Sequence, residues 1–223
     1  MQSKRTIICY AEGSNKIGMG HLFRVLSMKQ FLGKNFSFNF IAKNNTQIKF
    51  YKEYNCKYLK YISLNTDHSY EYGIYDSKET NADIFYKLKK YAKKWISIDS
   101  VCDWVKYFDF AVYPSFYISK EDLPYSIKNT KTKFFFGTEY VTFKKEEVSC
   151  FDQDIDNKTL VTFGGTDPNN LTEKVAGYVS KRNDKNNFIF LIGPSFKKNR
   201  NYFKEKFSQL VFIGPVSETR SLI

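Results

Sequence analysis

Short apolar runs recur along the chain, and residues at helical spacing fill many of the gaps between them. Ile7-Ile8-Cys9-Tyr10 is the first such run and reads as a strand. The loop Ala11 to Gly20 follows, carrying Gly13, Gly18 and Gly20, and then Leu22, Val25, Leu26, Met28 and Leu32 fall on one face of a helix over 21–32. Phe36 to Ala42 alternates at first and predicts the second strand; Thr46 to Tyr54 predicts a helix. Lys57 to Leu64 is a strand or a short connector. Tyr72 to Tyr75 reads as a strand ending at Asp76, and Asn81 to Lys94 as a helix with Ile84, Leu88 and Tyr91 as its apolar stripe. Strands over 95–98, closing on Asp99, and over 108–113, closed by Pro114, come next, then a short apolar run at 134–137. Strands alternating with helices imply parallel βαβ units.

The polar stretch Lys144 to Lys158, with five acids, reads as a linker. After it the pattern restarts: a strand at 160–163, a loop from Gly164 to Asn170, a helix over 171–179, and strands at 188–192 and 210–213, each followed by Gly-Pro. The expected fold class is therefore α/β, with two Rossmann-like domains, 1–144 and 158–223, facing each other across a cleft. Ten residues follow Ile213, too few to complete a doubly wound sheet of about five strands. The second domain is thus expected to be truncated.

Composition sharpens this picture. The 22 Phe and 17 Tyr among 223 residues allow a large core that is not rich in Leu. No apolar run reaches the length of about 18 residues that a transmembrane helix needs, and the polar start lacks a signal-peptide pattern, so a cytoplasmic protein is expected. Four widely spaced cysteines and two histidines offer no metal or disulfide framework, and neither metal nor cofactor is expected. The net charge of +12 suits an anionic partner or is simply a lysine-rich surface. The densest group, Lys87 to Lys94, matches no nucleic-acid motif. Oligomeric state is not readable.

Two loops carry candidate chemistry. In Ile17-Gly-Met-Gly-His-Leu-Phe-Arg24, Gly18 and Gly20 let the backbone pass close to a bound group, and the helix start behind them suits phosphate or an oxyanion. His21 sits at that start, where a neutral imidazole can serve as a general base or the residue can act only as a cap. Arg24, one turn on, can meet an anion or a domain partner. In Phe163-Gly-Gly-Thr-Asp-Pro-Asn-Asn170, Gly164, Gly165, Thr166 and Asp167 follow a strand directly and form either a diphosphate cradle or an ordinary turn with Asp167 capping the next helix. Asp76 and Asp99, at strand ends, rim a ligand crevice or cap their turns. Glu12 can meet a sugar or orient His21. His68 reads as a solvated loop residue.

These segments also carry a resemblance. A-E-G-S-N-K-I-G-M-G-H-L-F-R, Y-D-S at 75–77, I-S-I-D-S at 96–100 and L-V-T-F-G-G-T-D-P-N-N-L-T at 160–172, in that order, resemble the PseG/SpsG group. This group includes the UDP-sugar hydrolase of pseudaminic acid biosynthesis and spore-coat polysaccharide proteins. The resemblance implies a glycosyltransferase-B-like fold and a UDP-linked deoxy amino sugar as substrate. It also implies that His21 activates the water that attacks the anomeric carbon, with inversion and without a metal. A glycosyltransferase, or a binding protein without turnover, is the alternative. The sequence departs from the group at Lys78, where a Tyr often follows, and lacks the later glycine-rich segment and Glu-containing helix.

Overall fold

The computed structural model describes residues 4–14, 17–64, 69–78, 82–128, 130–142, 158–194 and 196–215. The chain forms two compact units, one of residues 1–14 and 21–145, the other of 15–20 and 146–223.

The first unit is built on β1 (Arg5–Ala11), α1 (Gly20–Leu32), β2 (Phe36–Ala42), α2 (Asn45–Glu53), β3 (Tyr58–Lys60) and β4 (Tyr70–Asp76). It continues through α3 (Asp83–Leu88), β5 (Ala92–Ile98), β6 (Phe110–Tyr113), α4 (Tyr125–Lys128) and β7 (Lys133–Phe136). The sheet order is β3-β2-β1-β4-β5-β6-β7, with every pairing parallel. From β1 the chain steps outward to β3, then returns to the other side of β1 with β4. The strand order reverses there, and such a switch point opens a crevice at the carboxyl ends of its two strands.

Parallel strands covered on both faces become continuous apolar runs, which is why β1 is buried from Ile7 to Ala11. One face of the sheet holds an aromatic core of Tyr10, Tyr75, Phe85, Trp95, Trp104 and Phe108. Phe85 and Phe108 stack with centroids 4.0 Å apart. Gly73 serves this core: a Cβ there would stand 2.4 Å from the ring of Trp95, its register partner on β5. The absent side chain is the space the indole occupies.

The helix expected over 81–94 is corrected at its end. α3 stops at Leu88, a 3₁₀ turn covers Lys89–Tyr91, and β5 already starts at Ala92. The stripe Ile84, Leu88 and Tyr91 is buried as expected. Residues 92–94, however, pair with β4, Tyr70 with Ala92 and Tyr72 with Lys94. Ladder pairing overrides the helix preference of Ala and Lys. The expected linker falls almost wholly outside the described residues, as do His68 and Cys150.

The second unit contains β8 (Thr159–Thr162), α5 (Leu171–Val179), β9 (Phe188–Leu191), α6 (Arg200–Lys206) and β10 (Val211–Ile213), in a parallel sheet ordered β10-β9-β8. Its core gathers Ala176, Val179, Phe190, Phe203 and Phe212. α6 is an element the periodicity reading missed, although Asn199 signals its start by accepting the Tyr202 N–H at 3.0 Å. Glu173 of α5 ties the two helices together. It accepts from Lys198, from Lys206 at 2.5 Å and from the Tyr202 hydroxyl at 2.9 Å. The two ammonium groups hold its carboxyl at about 2.

Gly193, just after β9, packs its backbone closely against the loop after β8. A Cβ there would lie 2.4 Å from the Gly164 carbonyl oxygen and 2.7 Å from Gly165 backbone atoms. Gly193→Ala is therefore expected to lower the stability of this unit by about 1–3 kcal/mol. Thermal or denaturant unfolding checks this, and an unchanged midpoint would show that the loop yields freely. Among the described residues, no helix is long and apolar enough to cross a membrane.

Candidate functional site

β1, β4 and β5 are neighbours at the centre of the first sheet, and their register aligns Ala11 with Asp76 and Asp76 with Ile98. The strand ends therefore present Glu12, Asp76 and Asp99 along one edge. α1 starts above that edge. Its first turn supplies His21, and Arg24 lies three residues on, a spacing that puts two side chains on one helix face. The close seat of α1 depends on Gly13, whose Cβ would come within 2.5 Å of Leu22.

His21 and Arg24 converge on Asp76. His21 Nδ1 lies 2.6 Å from Asp76 Oδ1. Arg24 Nε donates to Asp76 Oδ2 at 2.7 Å and Nη2 to Oδ1 at 2.6 Å, a two-point fork. Nη1 reaches Asp99 Oδ2 at 3.4 Å. The Asp76 side chain is fully buried, while His21 and Arg24 are 11% and 21% exposed. Burial works against the Arg24 charge. Its hydrogen bonds to Asp76 and the charges of Asp76 and Asp99 outweigh that and raise its pKa.

The Asp76 contact favours one role for His21 Nδ1. A carboxylate gripped by a guanidinium accepts on both oxygens, so Nδ1 must be the donor toward Oδ1. Arg24 Nη2 also lies 3.1 Å from Nδ1 and can only donate; with Nδ1 protonated, its hydrogen bond goes to Asp76 Oδ1 at 2.6 Å. In the neutral ring, that donation leaves Nε2 as the nitrogen without a proton. Among the described residues, none hydrogen-bonds it. An imidazole oriented by an acid through one nitrogen and open at the other is equipped to take a proton.

Glu12 does not orient His21. Its buried carboxylate accepts from Ser77 Oγ at 3.0 Å and from the Lys78 N–H at 3.1 Å. It thereby begins a chain of hydrogen bonds under the site. Ser100 Oγ donates to the Ser77 carbonyl at 2.6 Å, and the Tyr113 hydroxyl donates to the Ser100 carbonyl at 2.7 Å. Burial pushes the Tyr113 phenol pKa up, so it remains a donor. The loops after β1, β4 and β5 and the end of β6 are thus tied together, which fixes Asp76 and Asp99. A second clasp comes from the start of α2. Asn44 Nδ2 donates to the Gly13 carbonyl at 2.9 Å, and Gln47 Nε2 to the Ala11 carbonyl at 2.7 Å. Asn44 and Gln47 also form a capping box, a signal readable in N-x-x-Q. Ser77 and Ser100 stand in the Y-D-S and I-S-I-D-S segments and Asn44 and Gln47 in a capping signal, but the ties that these residues and Tyr113 make depend on strand order.

The remaining candidates lie on the two glycine loops. Gly18 adopts φ +96°, a region that L side chains rarely enter, and Gly20 is the exposed first residue of α1. In the second unit, the turn after β8 is tightly curled: Gly164, Asp167 and Asn170 all have positive φ, at 75°, 39° and 52°. Gly165 is half-buried and Thr166 is buried. Asp167 caps α5, accepting from Leu171 N–H at 2.8 Å and Thr172 N–H at 2.9 Å. Of its two sequence readings, capping is the one its carboxylate performs. Those N–H groups are therefore taken, and any phosphate at this loop must use other donors.

No family model matches the sequence. The uncharacterized protein MJ1062 of Methanocaldococcus jannaschii is 28% identical over 210 residues, covering 86% of this chain and 43% of that protein. The chain thus spans less than half of that relative's length. Among solved structures, the crystal structure of MurG from Acinetobacter baumannii superposes with a TM-score of 0.53 at 7% identity, covering 98% of this chain and 68% of that one. An α/β chain with parallel sheets of seven and three strands has a MurG-like, glycosyltransferase-B-type fold whose second domain is small.

Proposed function

We propose that the protein handles a nucleotide-activated sugar, and that it hydrolyses a UDP-linked deoxy amino sugar with His21 as general base. The observation that carries this reading is the His21–Asp76 pair, 2.6 Å apart at the switch point of the central sheet. In the reaction, a water oxygen bonds to the anomeric carbon while His21 Nε2 takes one of its protons. The bond from that carbon to the UDP oxygen breaks, and its electron pair leaves with the phosphate. UDP is a good leaving group, so the step needs a base more than an acid. Histidine is the side chain that most readily exchanges a proton near neutrality. Asp76 acts through His21 as a positioning residue, holding the proton on Nδ1. Attack opposite the leaving group inverts the anomeric centre.

The glycosyltransferase-B-type fold and the ordered motif series support a sugar-nucleotide ligand. In this reading, Gly18, Gly20, Gly164, Gly165 and Thr166 are the backbone positions that a pyrophosphate can approach closely. The pathway would be pseudaminic-type acid or surface-polysaccharide synthesis.

The test is to incubate the full-length gene product with a panel of UDP-sugars and follow free UDP. Release in water alone is the expected result. Release only after an acceptor saccharide is added would make the protein a transferase. Binding without release would make it a sugar-nucleotide-binding protein.

A further inference from the structure

We propose that Arg24 is a positioning residue that locks the tautomer of His21 by gripping Asp76, rather than a residue that binds the ligand. The Nε–Nη2 edge of the guanidinium spans both oxygens of Asp76, at 2.7 and 2.6 Å, and Nη1 points to Asp99 at 3.4 Å. A phosphate seeking the bidentate edge of Arg24 would have to displace a fully buried carboxylate from it. The fork also fixes the rotation of the Asp76 carboxyl group. That rotation decides which oxygen faces His21 Nδ1.

Removing the cation leaves Asp76 buried with the imidazole N–H as its partner, and breaking one side of a buried ion pair strands the other charge. Two rearrangements relieve this. Asp76 can take a proton and donate it to Nδ1, which moves the ring proton to Nε2. Alternatively, the imidazole can take a second proton and become a cation beside Asp76. In both, Nε2 carries hydrogen and cannot accept a proton from water. Among the described residues, the charged groups within hydrogen-bond distance of His21 are Asp76 from β4 and Arg24 from its own helix; Asp99 after β5 acts through Arg24. Arg24 thus keeps the base usable without touching the reacting atoms.

The inference rests on the reading of His21 as a base, yet it can be tested without any substrate. The chain has two histidines, so ¹⁵N-labelled imidazole spectra are simple, and His68→Gln assigns them. The wild type should show His21 protonated at Nδ1 and bare at Nε2. Arg24→Gln should lose that single form and show hydrogen at Nε2. On a UDP-sugar that the wild type turns over, kcat should fall by about 10²-fold, the scale of lost general-base catalysis, with KM little changed. A folded Arg24→Gln protein with the wild-type spectrum would overturn the proposal, as would a raised KM at unchanged kcat. If Arg24→Gln does not fold, Arg24→Lys decides. It keeps the charge without the fork, so a mixture of tautomers supports the lock and a single wild-type form refutes it. A wild type that shows the locked ring but never releases UDP would retire the hydrolase reading and leave the lock standing.

Discussion

His21→Asn is expected to keep the fold and to lower UDP-sugar turnover by about 10²-fold or more, the range for a lost general base. Asn is chosen because its amide has nearly the width of the ring and can still donate toward Asp76 Oδ1, where His21 Nδ1 now sits at 2.6 Å. The buried carboxylate therefore keeps a partner, and the stability cost stays small. The variant loses the second ring nitrogen, the one with no partner among the described residues. An effect on kcat with KM nearly constant would match a group used mainly in the transition state. The measurement is initial-rate UDP release under saturating substrate, with circular dichroism as the folding control. Unchanged release from a folded His21→Asn protein would reduce His21 to a helix-start residue.

Much of the fold was legible because parallel, doubly covered strands announce themselves as apolar runs. The bounds of β2, Phe36–Ala42, and of α5, Leu171–Val179, match the expectation to the residue. The acids at the ends of β4 and β5 were visible for the same reason. Less legible was which acid serves the histidine. Glu12 lies nine positions from His21 and Asp76 lies 55, so proximity in sequence favours the wrong one. Strand order decides the matter. β4 returns to lie beside β1, which places Asp76 beneath α1, while the Glu12 carboxylate turns to the loop after β4. No local pattern encodes that return. The same holds for the hydrogen-bond chain through Ser77, Ser100 and Tyr113, whose members are ordinary strand-end residues until the sheet aligns them. Asp167 is the converse case. Its local reading as a cap was available four residues before the helix, and a local interaction is what it makes.

Asp76→Asn should be more damaging than its isosteric shape suggests. Asp76 offers two acceptor oxygens to three donor nitrogens, His21 Nδ1 and Arg24 Nε and Nη2. An amide offers one acceptor and adds two donor hydrogens. If its NH₂ takes the Oδ2 position, it opposes Arg24 Nε, now at 2.7 Å from that site. If it takes the Oδ1 position, it opposes Arg24 Nη2 at 2.6 Å and meets His21 Nδ1 as a donor. The imidazole can accommodate this second arrangement by shifting its proton to Nε2, which removes the base. Arg24 also loses its principal counter-charge and, among the described residues, keeps only Asp99, at 3.4 Å. Breaking one side of a buried ion pair typically costs about 3–5 kcal/mol. A marked drop in the unfolding midpoint is therefore expected along with the loss of activity. Among molecules that remain folded, kcat should fall by between about 10² and 10⁴, the upper value being that of a triad aspartate replaced by Asn, where the wrong tautomer results. Rates are to be taken well below the variant's own midpoint, so that unfolding does not mimic the chemical defect. Imidazole ¹⁵N shifts in the same sample report the tautomer directly. Near-wild-type kcat in folded Asp76→Asn, with hydrogen still on Nδ1, would show that Asp76 is only a partner for Arg24 and that His21 needs no orientation from it.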